Sequence, residues 1–422
     1  MKVVHLMTTP GGGAARAGIN LHLGICKHRE VGVSSDILYL EAENPGENAS
    51  VFVRPSGGLF GLRRSISRAI HRLEFRPFRK WQRRSGQARW ERFSSVQAGW
   101  GEALAKAVGG FDIVHLHWVA DFVDLKPFLE ALPERVRVVW TLHDLWAFTG
   151  GCHFPEGCVR YRESCGACPQ WGSVDVDDYS RKGWRERQAA YGSLDDRRLR
   201  IVAPSQWMAQ RAGESSLFGQ RQIEVIPNGI DLGVFQPVPR QEARQLLALP
   251  EDAFVALFLA DSGGNRRKGF AVLEEALAGF PAGSRRILLV VGGAETKPVP
   301  GWEVISIGYV GEVDRLAAIY SAADVFVHPA LEDNLPSTVL ESLACGTPVA
   351  AFRIGGLPEL ITSDSLGALG ESTSSAAMRE VLLDRSRWTS DPARRLDCRR
   401  HAEKFSIDTM VERYLQVYRS LG

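Results

Sequence analysis

The 422-residue sequence has no window approaching the roughly eighteen consecutive apolar residues of a membrane-spanning helix, so no spanning segment is expected. The apolar stretch Lys2-Val3-Val4-His5-Leu6-Met7 is too short for a signal-peptide core and no small-residue cleavage pattern follows it, which reads as a cytoplasmic protein. Charge of one sign is also scarce. Lys and Arg number 51 against 49 Asp and Glu, a formal balance of +2 that gives no reason to expect nucleic acid. Cysteines are few, seven in all, and in a reducing compartment they read as thiols, metal ligands or core residues before disulfides. A nucleophile elbow and a short-period repeat are missing too. What remains is an ordinary globular composition, 45% hydrophobic and 24% charged, at a length for which two domains are expected.

Short Val/Ile/Leu-rich runs recur between longer segments of helical spacing: Val3–Met7, Ile37–Leu40, Ile113–His117, Val136–Leu142, Ile201–Pro204, Ile223–Pro227, Phe254–Ala260, Ile287–Gly292, Val325–Pro329 and Pro348–Phe352. They are continuously apolar rather than alternating, as strands buried on both faces of a parallel sheet should be. Strands alternating with helices predict a doubly wound α/β architecture. The turn-forming cluster Pro227-Asn228-Gly229-Ile230-Asp231 divides the runs into two series, predicting domains over 1–227 and 228–404. A terminal helix over 405–422 carries Ile407, Met410, Val411, Tyr414, Leu415 and Tyr418 on one face, an amphipathic stripe that needs a groove.

The segment from Asp324 to Ile361 is the most informative. A buried strand ends at His328-Pro329, the polar loop Glu332-Asp333-Asn334 follows, and Pro336 stands at a helix start, where its missing N–H costs little. The amides of Ser337, Thr338 and Val339 would point back toward the strand end, a ready place for a phosphate. One turn on, Glu341 would face the same crevice, where a carboxylate can accept two hydrogen bonds from a ribose diol. A plain strand–loop–helix–strand unit with a solvent-facing Glu has the same pattern.

The segment resembles the nucleotide-binding signature of family 4 retaining glycosyltransferases of the GT-B fold, in the variant typical of exopolysaccharide and colanic-acid-type enzymes. That signature has two acidic residues separated by seven, matched here by Asp333 and Glu341, with Asp at the usual first Glu and Glu332 just before it. The resemblance implies two Rossmann-like lobes facing a cleft and a C-terminal helix crossing back to the first lobe. It also implies that Glu341 binds the nucleoside ribose, that Asp333 or its neighbour Glu332 holds donor-sugar hydroxyls, and that the stretch Leu335, Pro336, Ser337 and Thr338 lies against sugar or diphosphate. Lys268-Gly269 matches the family's Lys-Gly, with Lys268 on the diphosphate; Gly263 stands at the spacing of the usual upstream Arg, leaving Arg266 or Arg267 as substitutes or as a solvated basic loop. In the first lobe, Gly11-Gly12-Gly13 resembles the glycine loop that lets Gly12 and Gly13 approach the donor closely. Thr141-Leu142-His143-Asp144 resembles the Thr-x-His-Asp pattern whose histidine contacts the transferred sugar. His117, at a similar strand end, and Asp144 are acceptor-side candidates.

The implied reaction is retaining transfer of a sugar from a UDP- or GDP-linked donor to a glycan or lipid-linked acceptor, with no catalytic metal expected. Glycosidases need two carboxylates flanking the bond, and no such pair stands out. A front-face transfer needs neither, because the departing phosphate oxygen can take the acceptor's proton. A sugar-nucleotide epimerase on the same fold and a non-catalytic binding module are the rival readings.

Two segments stand outside this frame. Between Leu62 and Phe93, eleven Arg or Lys face only Glu74 and Glu91, interleaved with Ile66, Ile70, Leu73, Phe75, Phe78, Trp81 and Trp90. Such a segment fits peripheral docking on an anionic membrane or a solvated surface helix, with nucleic acid a distant third. Cys152, Cys158, Cys165 and Cys168 fall within seventeen residues. The readings are a structural zinc, two disulfides, or four thiols packing a loop.

Overall fold

The computed structural model describes residues 1–28, 32–53, 73, 91–95, 100–192, 194–262, 265–281, 283–294, 296–384, 388 and 391–422. The chain separates into two compact units, Met1–Pro227 with Val411–Gly422, and Asn228–Met410.

The first unit is built on seven parallel strands: β1 Lys2–Met7, β2 Ser34–Tyr39, β3 Ala49–Val51, β4 Ile113–Leu116, β5 Arg137–Thr141, β6 Leu199–Ala203 and β7 Ile223–Val225, in the order β3-β2-β1-β4-β5-β6-β7. Side chains alternate across the sheet. Val4, Leu6, Val114, Leu116, Val138 and Trp140 face one way, into a core with Leu104 and Phe128 from the helices Gly101–Val108 and Leu125–Ala131. The intervening residues His5, His115 and Thr141 therefore occupy the opposite face, and strand register sets His5 directly beside His115. The terminal helix Ile407–Leu421 covers this polar patch: the Tyr418 hydroxyl lies 2.6 Å from His115 Nδ1, and the Tyr414 hydroxyl lies 2.7 Å from Thr141 Oγ1.

The second unit holds six parallel strands: β8 Phe254–Ser262, β9 Arg286–Gly293, β10 Glu303–Gly308, β11 Val325–His328, β12 Val349–Phe352 and β13 Gly367–Gly370, in the order β10-β9-β8-β11-β12-β13. Both faces are covered. Val255, Leu257, Phe326 and Val349 pack into one core, while Ala256, Phe258, Val327 and Ala350 pack into another. At the amino ends of β8 and β11, the buried Arg244 donates to Asp324 Oδ2 at 2.9 Å, and the same oxygen accepts the Val255 amide at 2.7 Å, tying the two strands together.

All ten apolar runs form strands. The three strands that apolar runs did not mark, β3, β10 and β13, each lie at a sheet edge. An edge strand is buried less completely, so β10 reads Glu303-Val-Ile-Ser-Ile-Gly with exposed residues among half-buried ones.

Candidate functional site

In the second unit the site grows from the carboxyl end of β11. His328 closes the strand, and the loop that follows buries Asp333, with only 8% of the residue exposed. Asp333 Oδ2 is 2.9 Å from Lys268 Nζ, 3.4 Å from an Arg267 guanidinium nitrogen and 3.4 Å from His328 Nε2. Burial works against the charged carboxylate, but Lys268 first, then Arg267 and His328, reverse this and hold its pKa well below the usual range. Burial outweighs the neighbouring carboxylate at His328, whose pKa is lowered.

Two glycines bring these groups together. Lys268 ends a short turn, Arg266–Lys268, capped by Gly269 at φ +72°, and a Cβ there would sit 1.7 Å from the Pro329 carbonyl oxygen. The turn is laced to the loop by Leu331 N–H donating to the Arg267 carbonyl at 2.7 Å and by the Arg267 guanidinium donating to the Glu332 carbonyl at 2.8 Å. On the other side, a Cβ at Gly355 would meet the Asp333 carbonyl oxygen at 1.7 Å. Of the adjacent acids, Asp333 enters the Lys268 cluster. Of the arginines, Arg267 turns inward and Arg266 is exposed. His328 in this cluster was not singled out from sequence; its signal was a histidine at a strand's carboxyl end, just before the acidic loop.

One expectation gains a partner here and another needs correction. Glu341 is buried, 2% exposed, and its Oε2 accepts from the Tyr320 hydroxyl at 2.9 Å. It lies one turn into the helix Ser337–Ala344, on the side meeting the helix Val313–Ala322, so one of its oxygens is already held by Tyr320. Of the three amides expected to point at a phosphate, that of Val339 donates to the Pro336 carbonyl at 3.2 Å, while Ser337 and Thr338 are half-exposed at the helix start. Pro336 precedes this helix as its cap residue, and the Leu335 carbonyl accepts from Asn228 Nδ2 at 3.4 Å. Gly263 lies outside the described residues.

In the first unit, Gly12 takes φ +86° and caps the helix Gly13–Lys27; added Cβ atoms at Gly11 and Gly12 would meet nothing within 4 Å, so this turn is open. His143 is half-buried just past β5. Its Nε2 is 3.1 Å from His117 Nδ1, and burial pulls its pKa down to about 4 despite Asp144 beside it. Asp144, the acceptor-side candidate next to it, is engaged on both oxygens. Its Oδ1 accepts the Trp146 amide at 2.9 Å, and its Oδ2 meets Trp118 Nε1 at 2.9 Å and His153 Nδ1 at 2.6 Å. His153 Nε2 is in turn 3.0 Å from Ser94 Oγ. The carboxylate thus organises the loop after β5 from within.

The cysteines are all free thiols. Cys152, Cys158, Cys165 and Cys168 share one loop, but no three of their sulfurs come within 4.8 Å of one another; among the described residues only His5, His115 and His117 bring three such donors that close. A tetrahedral site is therefore not preassembled at the cysteines, whose loop turns through Cys165, Gly166 and Ala167, all at positive φ. Burial raises the Cys165 and Cys168 thiols to about 12. In the histidine set, His115 Nδ1 meets Tyr418 and Nε2 meets Thr141 Oγ1 at 2.8 Å, so both nitrogens already have hydroxyl partners. Most of the basic segment 62–93 lies outside the described residues; of its end, Arg92 pairs with Asp121 and stacks over Trp118 at 4.9 Å.

Two all-parallel α/β units, with a terminal helix returning to the first, constitute the GT-B fold of glycosyltransferases. Among solved structures, sucrose-phosphate synthase (tll1590) from Thermosynechococcus elongatus aligns over 100% of this chain and 98% of its own, at a TM-score of 0.68 and 18% identity. Anabaena Alr3699/HepE in complex with UDP-glucose aligns over 100% of both chains at a TM-score of 0.66 and 15% identity. In sequence, the family described as Glycosyltransferase Family 4 matches residues 42–234 and that described as Glycosyl transferases group 1 matches 239–405. D-inositol 3-phosphate glycosyltransferase 1 of Catenulispora acidiphila is 31% identical over 343 residues, 75% of this chain and 74% of that protein. WcaC of Escherichia coli K12, whose name assigns it provisionally to colanic acid biosynthesis as a glycosyl transferase, is 26% identical over 60% of this chain and 61% of its own. The chain belongs to glycosyltransferase family 4 and is a glycosyltransferase.

Proposed function

We propose that this enzyme moves a sugar, with retention of configuration, from a UDP- or GDP-linked donor to a hydroxyl of a lipid-linked glycan during polysaccharide synthesis. The observation that carries the donor assignment is the Lys268–Asp333–Arg267 cluster at the end of β11. Two cations held by one buried carboxylate stand ready to exchange part of that pairing for a diphosphate, with Asp333 then facing sugar hydroxyls. The bond from the anomeric carbon to the phosphate oxygen breaks as the acceptor oxygen bonds the same face. The acceptor's proton passes to the departing phosphate oxygen, so no separate base is needed. Lys268 offsets the charge gathering on that phosphate; His143 is assigned to the transferred sugar and Glu341, with Tyr320, to the ribose. Support for the donor class comes from HepE, which is described with UDP-glucose, and support for a role in polysaccharide synthesis comes from WcaC's name.

The test is thermal stabilisation and slow hydrolysis across a panel of UDP- and GDP-sugars. Saturable stabilisation by one donor, abolished in Lys268→Ala, is expected; no donor stabilising the protein overturns the assignment. The anomeric configuration of the product, read by NMR, decides retention. Docking of segment 62–93 on the inner face of the cytoplasmic membrane predicts flotation with anionic but not neutral vesicles.

The four cysteines we assign to a structural zinc. Backbone groups of Gln170 and Trp171 near Cys168, and of Gly150 near Cys165, oppose the burial that raises both thiols. Nearby, the fully buried Arg187, stacked over Trp146, has Nε and one terminal nitrogen without hydrogen-bond partners among the described residues, a cation that a zinc–thiolate group would balance. Zinc binding would draw the sulfurs closer together. One zinc per chain by elemental analysis, lost in Cys165→Ser, is expected; metal-free protein of full stability refutes it.

A further inference from the structure

Three imidazoles from three separate parts of the first unit stand in single file. His5 Nδ1, from the middle of β1, is 3.0 Å from His117 Nε2, and His117 Nδ1 is 3.1 Å from His143 Nε2. The rings stack, with centroids 5.2 Å apart for the first pair and 5.4 Å for the second. Packing holds the file in place: a Cβ on Gly18 of the helix Gly13–Lys27 would meet the His117 ring at 3.1 Å, so the helix backbone lies close against it. His115 lies beside His117 at 4.1 Å between centroids but is bound to hydroxyls of Tyr418 and Thr141 and takes no part in the file.

All three rings are kept neutral. Burial is the leading cause in each case, lowering His5 to about 3 and His143 to about 4 and taking His117 well below the ordinary value. A neutral imidazole has one N–H and one lone pair. Each contact in the file therefore carries one proton, and the two contacts must point the same way, because His117 can donate from only one nitrogen. In one direction, His5 Nδ1–H donates to His117 and His117 Nδ1–H donates to His143 Nε2, which leaves the proton of His143 on Nδ1. In the other, the proton of His143 is on Nε2 and that of His5 on its own Nε2.

The far end of the file decides between them. His5 is fully buried, and its Nε2 has no hydrogen-bond partner among the described residues. The second direction would strand an N–H donor there, whereas the first leaves only a bare lone pair; orphaned buried donors are the rarer of the two in proteins. We propose that His5 and His117 are positioning residues that lock His143 as its Nδ1–H tautomer, so that His143 meets an oxygen of the transferred sugar as a hydrogen-bond donor. This rests on the assignment of His143 to the sugar; the locking itself does not depend on which sugar is bound. It accounts for imidazoles gathered on the side of the sheet opposite the Val/Leu core, and it makes His143 a fixed dipole rather than a base.

The test uses the full-length enzyme labelled with 15N-histidine. Long-range 1H–15N correlation reports the tautomer of each ring directly, and the expected pattern is Nδ1–H for His5, His117 and His143. His117→Leu keeps the volume apolar and removes the lock: a mixed or Nε2–H His143 signal is expected, with kcat down about tenfold and donor KM nearly unchanged. His117→Gln, whose amide can accept from His5 and donate to His143, should restore both readouts. An Nε2–H tautomer of His143 in the wild-type enzyme overturns the inference, and that measurement requires no variant to fold. A folded His117→Leu with normal kcat also overturns it. Stoichiometric metal lost on His5→Leu would do so too, because a ligated imidazole cannot sustain the file. If instead His143→Leu itself retains full activity, it is the assignment of His143 to the sugar that fails, and the tautomer pattern still stands or falls on its own.

Discussion

Gly269→Ala should uncouple the basic turn from the loop that holds Asp333. At φ +72° an alanine is placed in the left-handed region, at a cost of about 1–2 kcal/mol. Its Cβ would also sit 1.7 Å from the Pro329 carbonyl oxygen, a backbone atom at the end of β11 that no side-chain rotation can relieve. The turn must move away, which breaks or lengthens the 2.7 Å bond from Leu331 N–H to the Arg267 carbonyl, worth about 1 kcal/mol net. Together these predict a loss of about 3 kcal/mol for the second unit, a large share of the roughly 5–15 kcal/mol typical of a domain. Urea unfolding followed by tryptophan fluorescence measures it. Because Lys268 leaves the same turn, transfer should fall by roughly 100-fold, as displacements of about 1 Å commonly cause. Gly311→Ala is the control: its Cβ would meet only Tyr309 Cε1 at 3.5 Å, and it should stay within about 0.5 kcal/mol of wild type. A Gly269→Ala protein as stable as that control would refute the reasoning.

Three further outcomes are expected. Asp333 has a depressed pKa in the folded protein, so its stabilisation is fully present above the ordinary carboxylate value of about 4 and is lost as pH falls through the folded value. Asp333→Asn should thus melt lower than wild type at pH 7 and converge with it in acid, as followed by thermal scans across pH. Tyr418→Phe removes the hydroxyl 2.6 Å from His115 Nδ1 and leaves a buried ring nitrogen unpaired, costing about 1–3 kcal/mol by chemical denaturation. Arg244→Met removes one of the two guanidinium groups on the buried Asp324 carboxylate and leaves Arg240 at 3.1 Å, so it should cost about 1–3 kcal/mol by chemical denaturation, part of which the double variant Arg244→Met/Asp324→Leu should recover.

Which features could be read from sequence follows from how local they are. The central strands are continuous apolar runs because both faces are covered, and a run of that kind is visible in a linear string. Edge strands lack one neighbour, and their composition loosens accordingly: β13 is Gly367-Ala-Leu-Gly, and β10 mixes exposed with half-buried residues. The second-unit site was readable for a similar reason. Lys268-Gly269 and the loop Glu332–Pro336 are each contiguous, and the glycine that permits their contact stands next to the lysine it positions. The Tyr320 partner of Glu341 was not legible because helical spacing gives the angle of a side chain about its axis but not which neighbouring helix meets that angle.

The first-unit site shows the converse. Its histidines come from residues 5, 117 and 143, and no spacing rule connects them. Each was embedded in or next to an apolar strand, where one histidine is unremarkable. Only the parallel register of β1 with β4, which aligns His5 with His115, and the alternation that sends both away from the Val/Leu core bring the imidazoles onto one face. The Thr-x-His-Asp pattern points to His143 and Asp144 as if they were equivalent neighbours, but burial separates their roles. Asp144 has both oxygens engaged by Trp118, Trp146 and His153, whereas His143 is tied at Nε2 to a file that ends on a nitrogen of His5 without a hydrogen-bond partner among the described residues. A carboxylate saturated from within shapes the loop. An imidazole whose Nε2 is fixed from behind has its tautomer set from behind, which makes that tautomer, more than the pKa of His143, the property that substitutions at His117 or His5 should alter.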